Sequence, residues 1–165
     1  MQFIDEKFRE NKTQYVFQAL MAGASVAAAL ILFDVVRDPV IIASLGASGF
    51  AAFTMPHVRF SSPRHLIGGY MIGIIVGCLM HSMTVLSIDH YLTQKILHII
   101  AGGGAVTLAM LLMTITNTEH APAAAIAVGL VINEWHILTV IMVMVGITLI
   151  SAIQRLLRKW MINLL

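Results

Sequence analysis

HAPAAAIAVGLVIN, residues 120–133, contains no Asp, Glu, Lys or Arg and has a proline near its start. A helix from Pro122 to Asn133 is only about 18 Å long at 1.5 Å per residue, whereas the hydrocarbon core of a bilayer is about 30 Å thick. The runs on either side of it, residues 96–118 and 135–154, are also free of charge and are longer. We therefore predict a short helix between two long ones inside a membrane domain.

Charged residues divide the rest of the chain in the same way. The charge-free runs are Thr13–Phe33, Pro39–Val58, His65–Ile88, Ile96–Thr118, His120–Asn133 and Trp135–Gln154. Four of these runs reach the roughly 20 residues that a spanning helix needs, and the segment from Pro39 to Met55 barely does so. We predict an all-α polytopic membrane protein with four long transmembrane helices and two short or broken helices.

The composition excludes a soluble domain. Hydrophobic residues make up 59% of the 165 residues and charged residues 11%, whereas soluble proteins carry about 25% charged residues. The net charge of +2 creates no basic field that would attract nucleic acid. The single cysteine, Cys78, allows neither an internal disulfide nor a cysteine metal cluster. We therefore expect lipid to be the solvent, with no cofactor and no bound metal.

The order of segments is long, short, long, and then the same again. Each short segment begins with a proline and has a glycine seven residues later: Pro39 with Gly46, and Pro122 with Gly129. Paired short segments marked by glycine and proline are typical of transporters built from internal repeats. We predict an inverted three-helix repeat, and two ordinary kinked helices are the alternative.

The predicted boundaries and topology follow from the charges. The transmembrane domain covers residues 14–157, with halves at about 14–88 and 95–157, between an N-terminal segment 1–13 and a C-terminal tail 158–165. If all six segments cross, eight of the ten basic residues lie on the side of the termini, and Arg37 and Lys95 lie opposite. Basic residues favour the cytoplasmic side, which predicts cytoplasmic termini in the cell (inner) membrane. If the two short segments instead turn back within the membrane, the basic residues divide seven to three between its sides. The charges therefore leave open whether the short segments cross.

The short helices also predict a binding site. A helix N-terminus exposes unpaired N–H groups and carries about half a positive charge, so it attracts anions. Two such ends meeting near the midplane of the membrane would bind a small anion without a buried lysine or arginine. The candidate substrate-binding residues are Ser44, Gly46, Ser48, Thr116, Asn117, His120 and Pro122.

Other polar and small residues have candidate roles with ordinary alternatives. Proton coupling is a candidate role for Glu119, His120 and His136, because histidine titrates near neutral pH, although a capping or interfacial role is equally open. Candidates for the mouth of the pathway are His57 and Arg64, which also fit simple anchoring. The small-residue face made by Gly69, Gly73 and Gly77 fits close helix packing within the chain or an oligomer interface.

Three segments resemble successive signatures of a known family. They are LGASGFAAFTMPH (residues 45–57), SSPRHLIGGYMIGIIVGCL (61–79) and TEHAPAAAIAVGL (118–130). Together they resemble the HPP family of integral membrane proteins, named for a His-Pro-Pro motif that reads His120-Ala121-Pro122 here. The chain also has Tyr70 where the family often has histidine. The resemblance implies a membrane protein, and some family members have been linked to nitrite transport.

Three functions are therefore compatible with the sequence. The first is a transporter or channel for a small inorganic anion, nitrite above others, with the lipid bilayer, the anion and further copies of the chain as partners. The second is a proton-coupled transporter of another small solute. The third is a non-transporting scaffold or partner subunit. No nucleophile elbow, HExxH motif or phosphate-binding loop is present, so we do not expect an enzyme.

Overall fold

The computed structural model describes residues 6–33, 39–85 and 91–165, and this part of the chain is a helical bundle without strands. Its helices are α1 (Glu6–Glu10), α2 (Lys12–Phe33), α3 (Pro39–Thr54), α4 (Pro63–Val85), α5 (Tyr91–Thr116), α6 (Ala121–Ile132) and α7 (Ile137–Leu157). Short 3-10 turns follow α3 and α7, at Arg59–Ser61 and Arg158–Trp160. Arg37, which enters the charge comparison, lies outside the described residues.

Within the described residues, four helices are long and apolar enough to cross a bilayer, as predicted. The spans are Lys12–Ile31, Pro63–Val85, Gln94–Thr116 and Ile137–Trp160. The other two apolar helices are short: α3 has 16 residues and α6 has 12. Helix α6 is therefore about 18 Å long. The chain is an all-α polytopic integral membrane protein, and the predicted fold class is confirmed.

The two short helices lie side by side and antiparallel. Ser48, in the second half of α3, contacts His120 at the start of α6. Val40, at the start of α3, contacts Gly129 near the end of α6. The N-termini of the two short helices therefore lie at opposite ends of this pair. The prediction that both N-termini meet at one midplane site is wrong, because each helix packs along the length of the other.

Glycines on α4 allow α6 to approach very closely. A Cβ atom at Gly69 would lie 2.7 Å from the Cβ atom of His120, and one at Gly73 would overlap the carbonyl oxygen of Ala123. One turn further, a Cβ atom at Gly77 would lie 2.9 Å from the carbonyl oxygen of Ala127. The residue numbers of the contacting pairs rise in the same direction along both helices, so α4 and α6 are parallel. The small-residue face of α4 is thus covered by α6 of the same chain.

The helix pairs form a regular pattern across the two halves of the chain. If α2, α3 and α4 are exchanged with α5, α6 and α7 in that order, the pair α2–α3 corresponds to α5–α6. The pair α4–α5 then corresponds to α7–α2. Helix α4 packs on α6 as α7 packs on α3. The pairs α3–α6 and α4–α7 map onto themselves when the halves are exchanged. Every pair of helices in this set has a counterpart under exchange of the halves, or maps onto itself.

The C-terminal residues pack against the start of α2 and the end of α3. Gln18, which is fully buried, donates from Nε2 to the carbonyl oxygens of Phe53 (2.5 Å) and Ile162 (2.9 Å). Its Oε1 accepts from the backbone N–H of Ile162 at 3.0 Å. Leu164 donates its N–H to the carbonyl oxygen of Thr54 at 2.8 Å. These bonds place both ends of the described chain at one end of the bundle.

Replacing Gln18 by leucine should destabilise the protein strongly. The substitution removes three hydrogen bonds and leaves two backbone groups of Ile162 and one of Phe53 without their buried partner, which costs about 3 kcal/mol or more. A fall in the midpoint of thermal unfolding in detergent micelles checks this. Gln94→Leu, at an exposed position on α5, is the control and should leave the midpoint unchanged. Equal effects of the two variants would contradict the assigned role of Gln18.

Candidate functional site

A buried chain of hydrogen bonds connects α3, α4 and α6. The Nε2 atom of His120 lies 2.8 Å from Oγ of Ser48, which lies 2.8 Å from the hydroxyl oxygen of Tyr70. That hydroxyl lies 2.8 Å from Oγ of Ser44, which donates to the carbonyl oxygen of Pro122 at 2.6 Å. The side chains of Ser44, Ser48, Tyr70 and His120 are each at most 3% exposed. We call these five residues the polar chain.

Counting protons gives the polar chain a direction. Its last acceptor is a carbonyl oxygen, which takes the only proton of Ser44. Tyr70 must then donate to Ser44, Ser48 must donate to Tyr70, and the proton between Ser48 and His120 must come from Nε2 of the imidazole. All four contacts are hydrogen bonds only when His120 has a proton on Nε2. The polar chain therefore begins at a donor, Nε2–H of His120, and ends at an acceptor, the carbonyl oxygen of Pro122.

Local sequence explains why these side chains meet. Ser44 and Ser48 are four residues apart, so they lie on the same face of α3. Tyr70 lies between Gly69 and Gly73, at the point where α4 approaches α6 most closely. His120 has an extended backbone, with φ −149° and ψ 99°, immediately before α6. It therefore ends the connection from α5 with its side chain directed at α3.

The N-terminus of α6 adjoins the polar chain, because His120 immediately precedes this helix. No side chain caps it, because His120 makes no capping hydrogen bond to the helix. The positive end of the helix dipole is therefore not offset by a capping side chain. A cavity of about 280 Å³ lies between α5 and α6 and includes His120 in its wall. Its other lining residues are Val106, Met110, Met113, Thr114, Glu119, Ala121 and Ala124.

Three other candidate binding residues lie outside the polar chain. Gly46 is on a different face of α3, in the wall of an apolar cavity of about 520 Å³ between α2 and α3. Thr116 is exposed and donates to the carbonyl oxygen of Leu112 in its own helix at 2.7 Å. Asn117 terminates α5 with a positive φ of 58°. The structure therefore brings together Ser44, Ser48, His120 and Pro122, but not these three residues.

Asn117 has a structural role that explains its residue type. The N–H of Thr118 donates to the carbonyl oxygen of Met113 at 2.9 Å, and the N–H of Asn117 donates to that of Thr114 at 3.3 Å. This pair of bonds around a left-handed residue is the Schellman ending of a helix. Asparagine and glycine adopt the left-handed conformation more readily than other residues.

We therefore expect Asn117→Gly to be tolerated and Asn117→Leu to destabilise the protein. The left-handed backbone costs a leucine about 1 kcal/mol more than it costs glycine. Thermal unfolding of both variants beside the unchanged protein measures the difference. If the leucine variant unfolds at the same temperature as the glycine variant, the backbone at this position imposes no such requirement.

The candidate proton-coupling residues are divided between the two ends of α6. Oε2 of Glu119, an exposed residue, lies 3.3 Å from Nε2 of the buried His65, and both are on the same side as His120. The contact is close enough for an ion pair, but Nε2 of His65 does not meet hydrogen-bond geometry with it. His136 precedes α7 at the opposite end of α6, about 18 Å away by helix length. Glu119 and His120 thus lie at one end of α6, and His136 lies at the other.

The two candidates for a pathway mouth lie at the same end of the bundle. His57 contacts the C-terminal residues, through its N–H to Oδ1 of Asn163 (3.0 Å) and through Nε2 to the carbonyl oxygen of Met161 (2.9 Å). Arg64 donates from Nη2 to the carbonyl oxygen of Thr116 at 3.0 Å and is otherwise exposed. His57 therefore holds the C-terminal residues in place. Arg64 connects the start of α4 to the end of α5.

Tyr70 is the site residue that sequence reasoning missed. It forms the centre of the polar chain and is fully buried. It stands where the resemblance led us to expect a histidine, so a polar group at this position was already visible. Its place beside Gly69 and Gly73, on the small-residue face of α4, was the signal that pointed toward α6.

Comparison with known proteins identifies the family. A family model described as HPP, transmembrane region, matches residues 7–163, which include the whole polar chain. No curated protein and no solved structure matches the chain significantly. The match covers nearly all of the transmembrane bundle and agrees with the three segments that resemble the family, so the predicted membership is confirmed. This chain belongs to the HPP family of transmembrane proteins.

Proposed function

We propose that this protein is a transporter or channel for a small inorganic anion, with nitrite as the leading substrate. The observation that carries the proposal is the polar chain itself: hydroxyl and imidazole groups, buried in a membrane bundle, at the uncapped N-terminus of α6. His120 connects it to the cavity of about 280 Å³ beside α5. The nitrite assignment comes from the resemblance to the HPP family.

The polar chain has the properties that a passing anion needs. Moving an anion out of water costs several kcal/mol unless donors replace its hydration shell. Hydroxyl hydrogens of Ser44, Ser48 and Tyr70 can rotate from one acceptor to another, and the positive end of α6 adds a fixed favourable potential. No lysine, arginine or carboxylate belongs to the polar chain. Binding without a full opposite charge is weak enough for the anion to leave again.

The topology that we propose supports alternating access or a pore between two halves. The symmetrical helix pairing is the pattern that two halves of opposite orientation produce. Helices α2 to α7 alternate in direction, which favours six crossings with both termini on one side. That side has Arg59, Arg64, Arg155, Arg158 and Lys159, and we call it the basic end. The excess of basic residues favours a cytoplasmic location for it in the cell membrane.

A catalytic role for the Ser48–His120 pair is disfavoured by the same proton count. The distance of 2.8 Å would suit a nucleophile and its base. A base must accept the proton of the serine, but in the fully bonded polar chain Ser48 donates to Tyr70 and the imidazole is the donor. Ser48 also lies within α3 and not at a sharp turn. We therefore propose a non-enzymatic protein.

Nitrite uptake into proteoliposomes tests the proposal. The purified protein should take up nitrite faster than empty liposomes at mildly alkaline pH, where little nitrous acid is present to leak through lipid. Ser48→Ala should lower the initial rate about tenfold, because it removes a donor worth about 1.5 kcal/mol to a charged partner. Ser82→Ala is the matched control, since Ser82 is exposed and donates to Leu79 of its own helix.

Circular dichroism and gel filtration show whether each variant is folded. If folded protein gives no uptake above that of empty liposomes, nitrite is not the substrate. Equal losses in Ser48→Ala and Ser82→Ala would remove the polar chain from the pathway even if uptake occurs.

Proton-coupled transport of another small solute is the second candidate. It is favoured by the contact between His65 and Glu119, which lies at the same end of α6 as His120. In that case a proton would move between Glu119, His65 and His120 during each cycle, and solute uptake would depend on a pH gradient.

A further inference from the structure

A second polar pocket lies at the basic end, between the start of α4 and the end of α7. It has a volume of about 350 Å³. Its lining residues are Ser62, Pro63, Arg64, Gln154, Arg155 and Arg158. None of these residues belongs to the polar chain, and one of them, Arg64, is also a candidate for the mouth of the pathway.

The pocket is strongly positive and has no acidic residue in its lining. Among the described residues, the ion pair that the geometry shows is His65 with Glu119, and it includes none of the three arginines. Arg64 donates from Nη2 to the carbonyl oxygen of Thr116, so its remaining guanidinium donors are still available. The N-terminus of α4, which begins at Pro63, adds the positive end of a helix dipole. An anion would therefore be stabilised here by three cations and a helix end.

A buried glutamine in the lining, Gln154, favours a ligand that carries a hydrogen-bond donor. Gln154 is only 1% exposed, and its Nε2 donates to the carbonyl oxygen of Pro56 at 3.1 Å. Its Oε1 has no hydrogen-bond partner and is almost inaccessible to solvent, so the amide must turn towards the pocket before a ligand there can bond to this oxygen. An unpaired buried acceptor costs about 1–3 kcal/mol. A ligand that satisfies it must bring a hydrogen-bond donor together with its negative charge.

We propose that this pocket binds a phosphate group with its own hydrogen-bond donor. The arginines bind the phosphate oxygens, for which the planar guanidinium is well suited, and Oε1 of Gln154 accepts from the donor. Two sources have this chemistry: the headgroup of phosphatidylglycerol, with its hydroxyls, and inorganic phosphate, which retains a hydroxyl at neutral pH. The position at the end of the helices matches the depth of lipid headgroups, and basic pockets between transmembrane helices bind such groups.

Binding to the intact purified protein in detergent micelles tests the proposal. The ligands are dioctanoyl phosphatidylglycerol, dioctanoyl phosphatidylcholine, inorganic phosphate and sulfate, and the measured quantity is the dissociation constant. Sulfate has the charge but no donor at neutral pH, and phosphatidylcholine has the phosphate but neither donor nor net charge. We expect phosphatidylglycerol to bind about tenfold or more tightly than phosphatidylcholine, and phosphate to bind more tightly than sulfate.

Matched variants separate the pocket from the general charge of the basic end. Arg155→Gln with Arg158→Gln removes two charges from the pocket, and Arg59→Gln with Lys159→Gln removes two charges from the same end outside it. The first double variant should weaken binding about tenfold or more, and the second less than about twofold. Gln154→Met should reduce the preference for phosphate over sulfate. If Gln154→Met does not fold, the comparison of phosphate with sulfate on the unchanged protein still tests the donor requirement.

The outcomes identify the source or reject the site. Saturable phosphatidylglycerol binding that inorganic phosphate does not displace identifies a lipid site, and displacement at millimolar phosphate identifies a site that also takes the free ion. Equal losses in the two double variants would mean unspecific attraction to the basic end. Equal affinity for phosphate and sulfate would remove the assigned role of Gln154. Either of these last results overturns the proposal.

Discussion

Gly73→Ala is expected to prevent stable folding of the bundle. A Cβ atom at this position would overlap the backbone carbonyl oxygen of Ala123 on α6. A backbone atom cannot move aside by changing rotamer, so α4 and α6 must separate along their whole contact. Overpacking costs about 1–3 kcal/mol even where side chains can adjust, and we expect more than 3 kcal/mol here because neither helix backbone can adjust locally.

The measurement is the yield of monodisperse protein and its midpoint of thermal unfolding. Gly77→Ala should have a similar but smaller effect, because the nearest backbone oxygen, that of Ala127, would lie 2.9 Å from the new atom. Gly103→Ala on α5 is the matched control, since a Cβ atom added there would have nothing within 4 Å. If Gly73→Ala and Gly103→Ala give the same midpoint, the contact between α4 and α6 is not as close as described.

Substitutions of His120 should have the largest effect on transport. His120→Phe keeps a ring beside Tyr70, whose ring centre is 5.8 Å from that of His120, but removes the donor to Ser48. We expect the rate of nitrite uptake to fall at least about tenfold. His120→Gln supplies an amide N–H in place of Nε2–H, and it should retain roughly half of the rate or more for the same reason.

The same two variants distinguish anion transport from proton coupling. Glutamine can donate a hydrogen bond but cannot titrate, so under proton coupling both variants should lose any stimulation by a pH gradient. Uptake is therefore measured with and without a gradient at a fixed membrane potential, after subtraction of empty liposomes. His98→Phe and His98→Gln are the controls, because His98 bonds to the carbonyl of Gln94 in its own helix. A fully active His120→Phe variant would falsify the proposed site.

Much of the site was predictable as a set of residues, but not as a geometry. Ser44, Ser48, His120 and Pro122 were selected because the N-terminus of a helix attracts anions, and they do lie together. The expected geometry failed because it assumed that two helix N-termini meet. The side-by-side packing of α3 and α6 instead pairs the start of α6 with the second half of α3.

Other residues show what pattern alone leaves out. Asn117 is a candidate ligand because it is polar and precedes a short helix, and its positive φ also gives it a role in ending α5. Gln18 and Gln154 stood in apolar runs without an evident partner. Their partners are backbone groups far away in the sequence, at Phe53, Ile162 and Pro56. Nothing local in the chain marks those contacts.

The sequence by itself determined the membrane class, the number of long and short helices and the family. These depend on one-dimensional properties: the spacing of charges, the length of apolar runs and short motifs, because in lipid each helix must satisfy its own backbone hydrogen bonds. Only the tertiary structure decided the direction of α3 against α6, the central place of Tyr70 and the pocket lined by Gln154 and three arginines. These depend on which small residues let two helices approach, and close packing between distant segments is a property of the pair rather than of either sequence.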